Sequence, residues 1–154
     1  MHQTRRILVV DPCPDTSAST AWLLRWWGHS VQVARDGPAA LEAARSYRPD
    51  VVLMELALPG LDGCAVAQRL RQPDQLPQAL LIAVTGYGGE GHRSRSRAAG
   101  FDYHLLKPVD PARLRTLLEG CPASSREAPA PDQSADGPAR PGPPCRSPGG
   151  AVLC

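Results

Sequence analysis

The chain has 154 residues, enough for one domain with a sizeable core, and its formal net charge of +2 is nearly balanced. This balance does not indicate a nucleic-acid or membrane partner, and no apolar run approaches the roughly 20 residues needed to span a bilayer. The first six residues lead into a short strand and do not resemble a signal peptide. We therefore expect a cytoplasmic protein that binds neither nucleic acid nor membrane.

The cysteines do not form a metal-binding or redox motif. There are five, an odd number without CxxC spacing: Cys13, Cys64, Cys121, Cys145 and Cys154. Scattered cysteines of this kind are typical of reduced thiols. We predict that they remain reduced.

Strand-like and helix-like segments alternate from the start of the chain. In the first 50 residues, the pattern predicts a strand over 7–10, a helix over 15–27, a strand over 31–34 and a helix over 39–46. Asp15 or Thr16 is the expected N-cap of the first helix, and Asp36 that of the second.

The segment from Asp50 to Gly63 is the one around which the chain is organised. Its four consecutive apolar residues, two of them β-branched, predict a strand buried on both faces that ends at Glu55. A loop rich in Pro and Gly follows, and then a helix over 63–71. In open parallel sheets, ligand sites collect at the carboxyl ends of the strands. Glu55 is therefore the first candidate site residue.

The rest of the first 120 residues continues the alternation. We predict a strand over 80–84, a polar helix that ends at Gly100, a strand over 101–106, and a last helix with Asp110 as its cap and Pro111 in its first position. Five strand-then-helix units with short connections imply right-handed crossovers. The expected fold class is α/β, a doubly wound five-stranded parallel sheet with helices on both faces.

Composition changes near residue 120. Residues 121–154 contain eight prolines, and their only large aliphatic side chains are Val152 and Leu153. Such a segment cannot bury enough apolar surface to offset the entropy of ordering it. We predict a domain over 5–120 and a disordered tail rich in Pro and Gly over 121–154. Within the tail, Pro141-Gly-Pro-Pro144 fits a polyproline ligand, although an inert linker is the favoured interpretation.

Four polar residues follow four of the predicted strands: Asp11, Glu55, Thr85 and Lys107. Because the carboxyl ends of parallel strands meet at one edge of a sheet, we expect these side chains to converge. Lys107 is the only lysine among 17 basic residues, which supports a role in the site. Carboxylates, a hydroxyl and an ammonium together suit a cation and a phosphoryl-like anion.

These motifs resemble the receiver domain of bacterial response regulators, the phosphoacceptor of two-component signalling. The resemblance covers about residues 5–120 and rests on Ile7-Leu-Val-Val-Asp11, Leu58-Pro-Gly-Leu-Asp-Gly63, Val84-Thr-Gly86 and Leu105-Leu-Lys-Pro108. It implies a (βα)5 fold with the flavodoxin-like strand order 2-1-3-4-5. It also implies that a histidine kinase is the phosphoryl donor.

The resemblance implies a role for each matching residue. Glu55 stands at the phosphoacceptor position, Thr85 and Lys107 at the positions that contact the phosphoryl group, and His104 at the position of a switch residue. Asp11, Glu55 and the backbone carbonyl of Ala57 stand at the Mg²⁺ positions.

The sequence departs from the family at two of these positions. Glu55 replaces the usual aspartate, and Pro12 replaces the second carboxylate after the first strand. Mg²⁺ requires near-octahedral oxygen geometry, so a lengthened acid and a missing one should make its binding weak or abolish it. Asp11, Glu55 and Lys107 leave a charge of −1, against −2 for a site with three carboxylates and a lysine.

These departures favour a single-domain, phosphorylation-independent pseudo-receiver that acts by protein–protein interaction and is not an enzyme. Either Glu55 mimics part of the phosphorylated state or locks one conformation, or the site is simply inactive. Its partner is expected to be a histidine kinase or a downstream signalling protein. Receivers commonly signal through the fourth helix, fifth strand and fifth helix, so a homodimer through that face is a further expectation.

Two alternatives remain open at this point. The first is a receiver that a histidine kinase still phosphorylates weakly. The second is a flavin- or nucleotide-binding flavodoxin-like protein, because the glycine loop from Gly86 to Gly91 fits a phosphate cradle. The second is disfavoured because no G-x-G-x-x-G follows the first strand.

Aromatic and arginine residues outside this site have structural interpretations. Trp22, Trp26 and Trp27 include an i, i+4 pair, and we predict that they pack into the core. Arg93, Arg95 and Arg97 alternate on the fourth helix, which favours a solvated face over nucleic-acid contact.

Overall fold

The computed structural model describes residues 3–86 and 90–120, in which five strands alternate with five helices. The strands are β1 (Arg6–Val10), β2 (Ser30–Ala34), β3 (Val51–Glu55), β4 (Leu80–Thr85) and β5 (Tyr103–Leu106). The helices are α1 (Pro14–Trp26), α2 (Gly37–Tyr47), α3 (Gly63–Leu70), α4 (Glu90–Ala99) and α5 (Pro111–Glu119). The predicted tail and residues 87–89 of the glycine loop lie outside the described residues. In the described ranges, no helix has the length and apolar character needed to cross a membrane.

All strand pairs are parallel, and the sheet order is β2-β1-β3-β4-β5. This confirms the predicted doubly wound sheet and its order. The chain moves from β1 to one edge of the sheet, then returns to β3 and continues to the other edge. The carboxyl ends of β1 and β3 therefore flank the point where the winding reverses, which is where open α/β sheets form their binding crevice.

The sheet separates two hydrophobic layers. Leu8, Val10 and Met54 pack on one face, which α2, α3 and α4 cover. Ile7, Val9 and Leu53 point to the other face, which α1 and α5 cover. Neighbouring residues of a strand point to opposite faces of the sheet, and helices cover both faces. All five residues of β3 are therefore buried. This double burial explains the unbroken apolar run that the sequence shows there.

Two of the predicted helix caps are confirmed and one is wrong. Asp36 accepts a hydrogen bond from the Ala39 N–H at 2.7 Å, and Asp110 accepts one from the Ala112 N–H at 3.0 Å. Helix α1, by contrast, begins at Pro14, with Cys13 at the N-cap and no side-chain cap. Proline suits the first helical position because its φ is fixed and it has no N–H to satisfy. The helix therefore starts before Asp15, the first of the two predicted caps.

The prediction that all three tryptophans pack into the core is wrong for two of them. Trp22 is 64% exposed and Trp26 is 74% exposed, whereas Trp27 packs against the core. Helix α1 buries Ser17, Ala21 and Leu24, so positions 22 and 26 fall on its outer side. There the two indole rings stack on each other, with centroids 5.7 Å apart and planes inclined by 13°.

The prediction of reduced cysteines is confirmed at one position and wrong at another. Cys13, just before α1, is buried and is not part of a disulfide, as predicted. Cys64, the second residue of α3, is disulfide-bonded, so the prediction of reduced thiols is wrong at that position.

The junction between β3 and α3 is closely packed at Gly63. A Cβ atom on Gly63 would lie 2.8 Å from the Glu55 carbonyl oxygen and 2.8 Å from the Leu56 Cα. Backbone atoms cannot move aside as the end of a flexible side chain can. We therefore expect Gly63→Ala to lower the free energy of unfolding by about 1–3 kcal/mol, measured by urea denaturation.

Gly91→Ala is the matched control, because a Cβ at Gly91 would meet no atom within 4 Å. This variant should be as stable as the unmodified protein or slightly more stable. Equal stability of the two glycine variants would contradict a tight junction between β3 and α3.

Candidate functional site

Three charged side chains meet at the carboxyl edge of the sheet. Asp11 follows β1, Glu55 ends β3 and Lys107 follows β5. The Lys107 Nζ lies 2.8 Å from the Asp11 Oδ2 and 2.9 Å from the Glu55 Oε2. The structure thus brings together three of the four residues that the sequence places at the strand ends. We call these three residues the charged triad.

The backbone after β1 fixes the orientation of Asp11. Its Oδ1 accepts a hydrogen bond from the Cys13 N–H at 2.8 Å, and its own N–H donates to the Ala34 carbonyl. The Asp11 residue is buried, and its second oxygen faces Lys107. Pro12, where the family usually has a second acid, adds no oxygen ligand from its side chain.

Both carboxylate oxygens of Glu55 are engaged. Oε1 accepts a hydrogen bond from the Ala57 N–H at 3.1 Å, while Oε2 pairs with Lys107. The additional methylene of glutamate lets the carboxylate fold toward the β3–α3 loop and still reach the ammonium. Ala57 thus contacts Glu55 through its N–H, a contact that the sequence did not indicate.

The Lys107 ammonium is the only cation of the triad. Its side chain is 22% exposed, while those of Asp11 and Glu55 are 8% exposed. Burial lowers the pKa of Lys107, but hydrogen bonds to Asp11 and Glu55 and the attraction of their charges outweigh burial and raise its pKa overall. Lys107 is therefore protonated at neutral pH, and the triad carries a charge of −1.

Thr85 contacts the triad through its backbone, whereas the side chain of His104 contacts α4. Thr85 is fully buried at the end of β4, and its backbone carbonyl accepts a hydrogen bond from the Lys107 N–H at 2.9 Å. His104 is half-buried on β5, with its Nδ1 3.1 Å from the Ser96 Oγ. The Ser96 hydroxyl also lies within hydrogen-bonding distance of the Arg93 carbonyl. These contacts join β5 to α4.

A cleft of about 480 Å³ extends from the triad between α1 and α5. Its apolar lining includes Leu23, Leu53 and Leu114, and Thr16 and Thr20 add hydroxyl groups. The sequence did not indicate this cleft directly. The available signal was the i, i+4 spacing of the two threonines on a predicted helix, which places them on one side.

The residues present do not fit a tight Mg²⁺ site. Mg²⁺ requires six oxygen ligands in near-octahedral geometry, and the triad offers two carboxylates whose facing oxygens already bind an ammonium. In the described part of the chain, no group of three or more His, Cys, Asp or Glu residues is placed to hold a metal ion.

Comparisons with known proteins agree with this architecture. The family profile described as "Response regulator receiver domain" matches residues 7–119. The polar-differentiation response regulator DivK of Brucella anthropi is 35% identical over 87 residues, which cover 56% of this chain and 71% of DivK. The DNA-binding response regulator MtrA of Mycolicibacterium smegmatis is 37% identical over 118 residues, or 74% of this chain. The match covers 50% of MtrA, so the chain spans only half the length of that relative.

A solved structure shows the same similarity. The receiver domain of the sensor histidine kinase PA1611 from Pseudomonas aeruginosa has a TM-score of 0.70 and 30% sequence identity. The match covers 77% of this chain and 97% of that domain, whose structure has a magnesium ion coordinated in the active-site cleft. With its (βα)5 sheet and its charged triad at the carboxyl edge, this chain belongs to the response regulator receiver domains of two-component signalling.

Proposed function

We propose that this receiver domain is a phosphorylation-independent pseudo-receiver that signals by binding another protein and not by catalysis. The observation that carries the proposal is the Lys107 ammonium, which bridges Asp11 and Glu55 at 2.8 and 2.9 Å. Glu55 occupies the acceptor position, and this ion pair joins it to the residue at the phosphoryl-contacting position.

The remaining donor set supports weak metal binding. Asp11, Glu55 and the Ala57 carbonyl are the groups left to hold Mg²⁺. Loss of one carboxylate beside a divalent ion removes several kcal/mol of attraction, on the order of a hundredfold or more in affinity. When bound, Mg²⁺ supplies the charge clamp for phosphoryl transfer, so a weak metal site makes efficient phosphorylation unfavourable.

The contacts of Glu55 favour a locked conformation over a merely inactive site. Its carboxylate joins the Ala57 N–H of the β3–α3 loop to Lys107 after β5. A phosphoryl group on a shorter acid would present oxygens in the same direction, and a longer acid can place a carboxylate oxygen there instead. If a protein exchanges between two conformations, a contact that is more stable in one of them shifts the equilibrium toward that conformation. The size of the shift is set by the difference in the free energy of the contact between the two conformations.

The proposed protein-binding surface consists of α4, β5 and α5. Leu106 of β5 is 42% exposed there, and His104 links the same strand to Ser96 of α4. A histidine kinase or a downstream signalling protein is the proposed partner, with a homodimer through this face as the second option. Through Lys107, which directly follows β5, the triad is connected to this surface.

The phosphorylation state tests the proposal directly. The unmodified protein, incubated with acetyl phosphate and Mg²⁺, should show no phosphoryl group by intact-mass spectrometry. Glu55→Asp combined with Pro12→Asp should bind Mg²⁺ at least about tenfold more tightly in calorimetric titration and gain a phosphoryl group at position 55.

Pro12→Asp alone and Glu55→Gln are the controls for this experiment. The first restores the missing acid without changing the acceptor position, and the second removes the charge at nearly constant size. A phosphoryl group found on Glu55 of the unmodified protein would contradict the proposal.

The ion pair also makes a prediction about stability. Lys107→Met leaves two buried carboxylates facing each other, and it should lower the free energy of unfolding at pH 7 by about 2 kcal/mol. The pKa of Lys107 is raised above its usual 10.5. Its stabilising contribution is therefore complete below pH 10.5 and is lost as the pH rises through the raised pKa.

Urea denaturation between pH 7 and alkaline pH measures both effects. The difference between Lys107→Met and the unmodified protein should shrink at alkaline pH. Arg113→Met removes an exposed cation of α5 and should change stability by less than about 0.5 kcal/mol. If the two variants were equally stable at pH 7, the bridge would not stabilise the fold.

A further inference from the structure

The outer side of α1 carries aromatic surface that the fold does not use. Trp22 and Trp26 are 64% and 74% exposed and contact each other by stacking. A fully buried aromatic side chain covers about 150–250 Å², so these two present roughly 300 Å². Trp and Arg are the residues most enriched at the centres of protein interfaces, which makes this face a candidate for docking.

The two tryptophans belong to a regular seam. Asp15, Ala18, Trp22 and Arg25 are all exposed, and their spacing alternates three, four and three residues. This spacing places four side chains in one stripe along a helix, as at the a and d positions of a coiled coil. Trp26 widens the stripe on one flank. We call Asp15, Ala18, Trp22, Arg25 and Trp26 the α1 seam.

The α1 seams of two copies are complementary when the two helices run antiparallel. An antiparallel pairing centred near position 20 places Asp15 opposite Arg25 of the second copy, and Ala18 opposite its Trp22. Each layer then combines an acid with a base or a small side chain with a large one. We infer that two copies of this chain associate through the α1 seam, as an antiparallel dimer with two-fold symmetry.

Charge and size argue for a second copy as the occupant. The seam carries an acid near one end and a base near the other, so the reversed copy satisfies both ends at once. Arg25 donates one N–H to the Val31 carbonyl at 2.9 Å, and its guanidinium has further N–H groups for a carboxylate. The small Ala18 leaves room for an indole ring from the opposite helix.

The exposed area of the two indoles predicts a small interface. A standard interface buries about 800 Å² per partner, and the two indoles supply over a third of it. The dimer should therefore be reversible, with a Kd on the order of 1–100 µM. Helix α1 packs on β1 and β2, whereas α4 packs on β5 at the opposite edge of the sheet. The inference uses residues of α1 alone and does not rest on the proposed function.

Sedimentation equilibrium of the full chain, from about 1 µM to about 500 µM, tests the inference. The unmodified protein should show a monomer–dimer equilibrium. Trp22→Ala with Trp26→Ala should raise the dimer Kd at least about tenfold and leave the free energy of unfolding of the monomer nearly unchanged, because both rings are exposed. Val33→Ala, at an exposed apolar residue on β2, is the matched control and should leave the Kd unchanged.

A charge-reversal experiment tests the antiparallel geometry. Asp15→Arg and Arg25→Asp, each alone, should weaken the dimer about tenfold at low salt. Mixed in equal amounts, the two variants should form a heterodimer about as tight as the unmodified dimer, because both acid–base layers are then restored. Urea denaturation of each variant shows whether its monomer remains folded.

The remaining outcomes overturn the inference. A protein that stays monomeric throughout this range has no such interface. A dimer that is insensitive to the tryptophan substitutions, or that Val33→Ala disrupts, uses another face. Charge variants that fold but show no recovery on mixing exclude the antiparallel pairing.

Discussion

The Lys107 ammonium links side chains from three parts of the chain at the carboxyl edge of this sheet. Lys107 follows β5, and its two carboxylate partners belong to the central region of the sheet, after β1 and at the end of β3. Two buried acids near one another repel unless a cation compensates them, and a buried cation requires acids in return. The strands that carry these groups are far apart in sequence, so the ion pairs link the two ends of the domain.

The parallel sheet explains why such a site arises at this place. Each crossover returns the chain to the same end of the sheet, so every strand delivers its next residue to one edge. The junction between β3 and α3 is closely packed at Gly63, and in the loop between them the Ala57 N–H binds Glu55. The fold can therefore accommodate Glu for Asp and Pro for a second acid without changing its architecture.

Much of this organisation could be predicted from the sequence, because it depends on local patterns. The apolar run before Glu55 predicted a strand buried on both faces, and Asp36 and Asp110 predicted their helix starts. The residue pattern gave the α/β class, and the family resemblance gave the strand order. Other features depend on the local path of the backbone or on contacts between distant segments. Neither the contact between Ala57 and Glu55 nor the cleft between α1 and α5 follows from spacing alone. The exposure of Trp22 and Trp26 could not be predicted, because large aromatic residues are usually buried, whereas α1 buries the smaller Ser17, Ala21 and Leu24.

The isolated lysine of this chain has a practical consequence. Because the sequence contains no other lysine, Lys107 carries the only side-chain amine, and it is held between two acids. An amine must lose its proton and leave its partners before it can attack an acylating reagent. Acylation by such a reagent, followed by peptide mapping, would therefore report at a single atom how often this edge of the sheet opens.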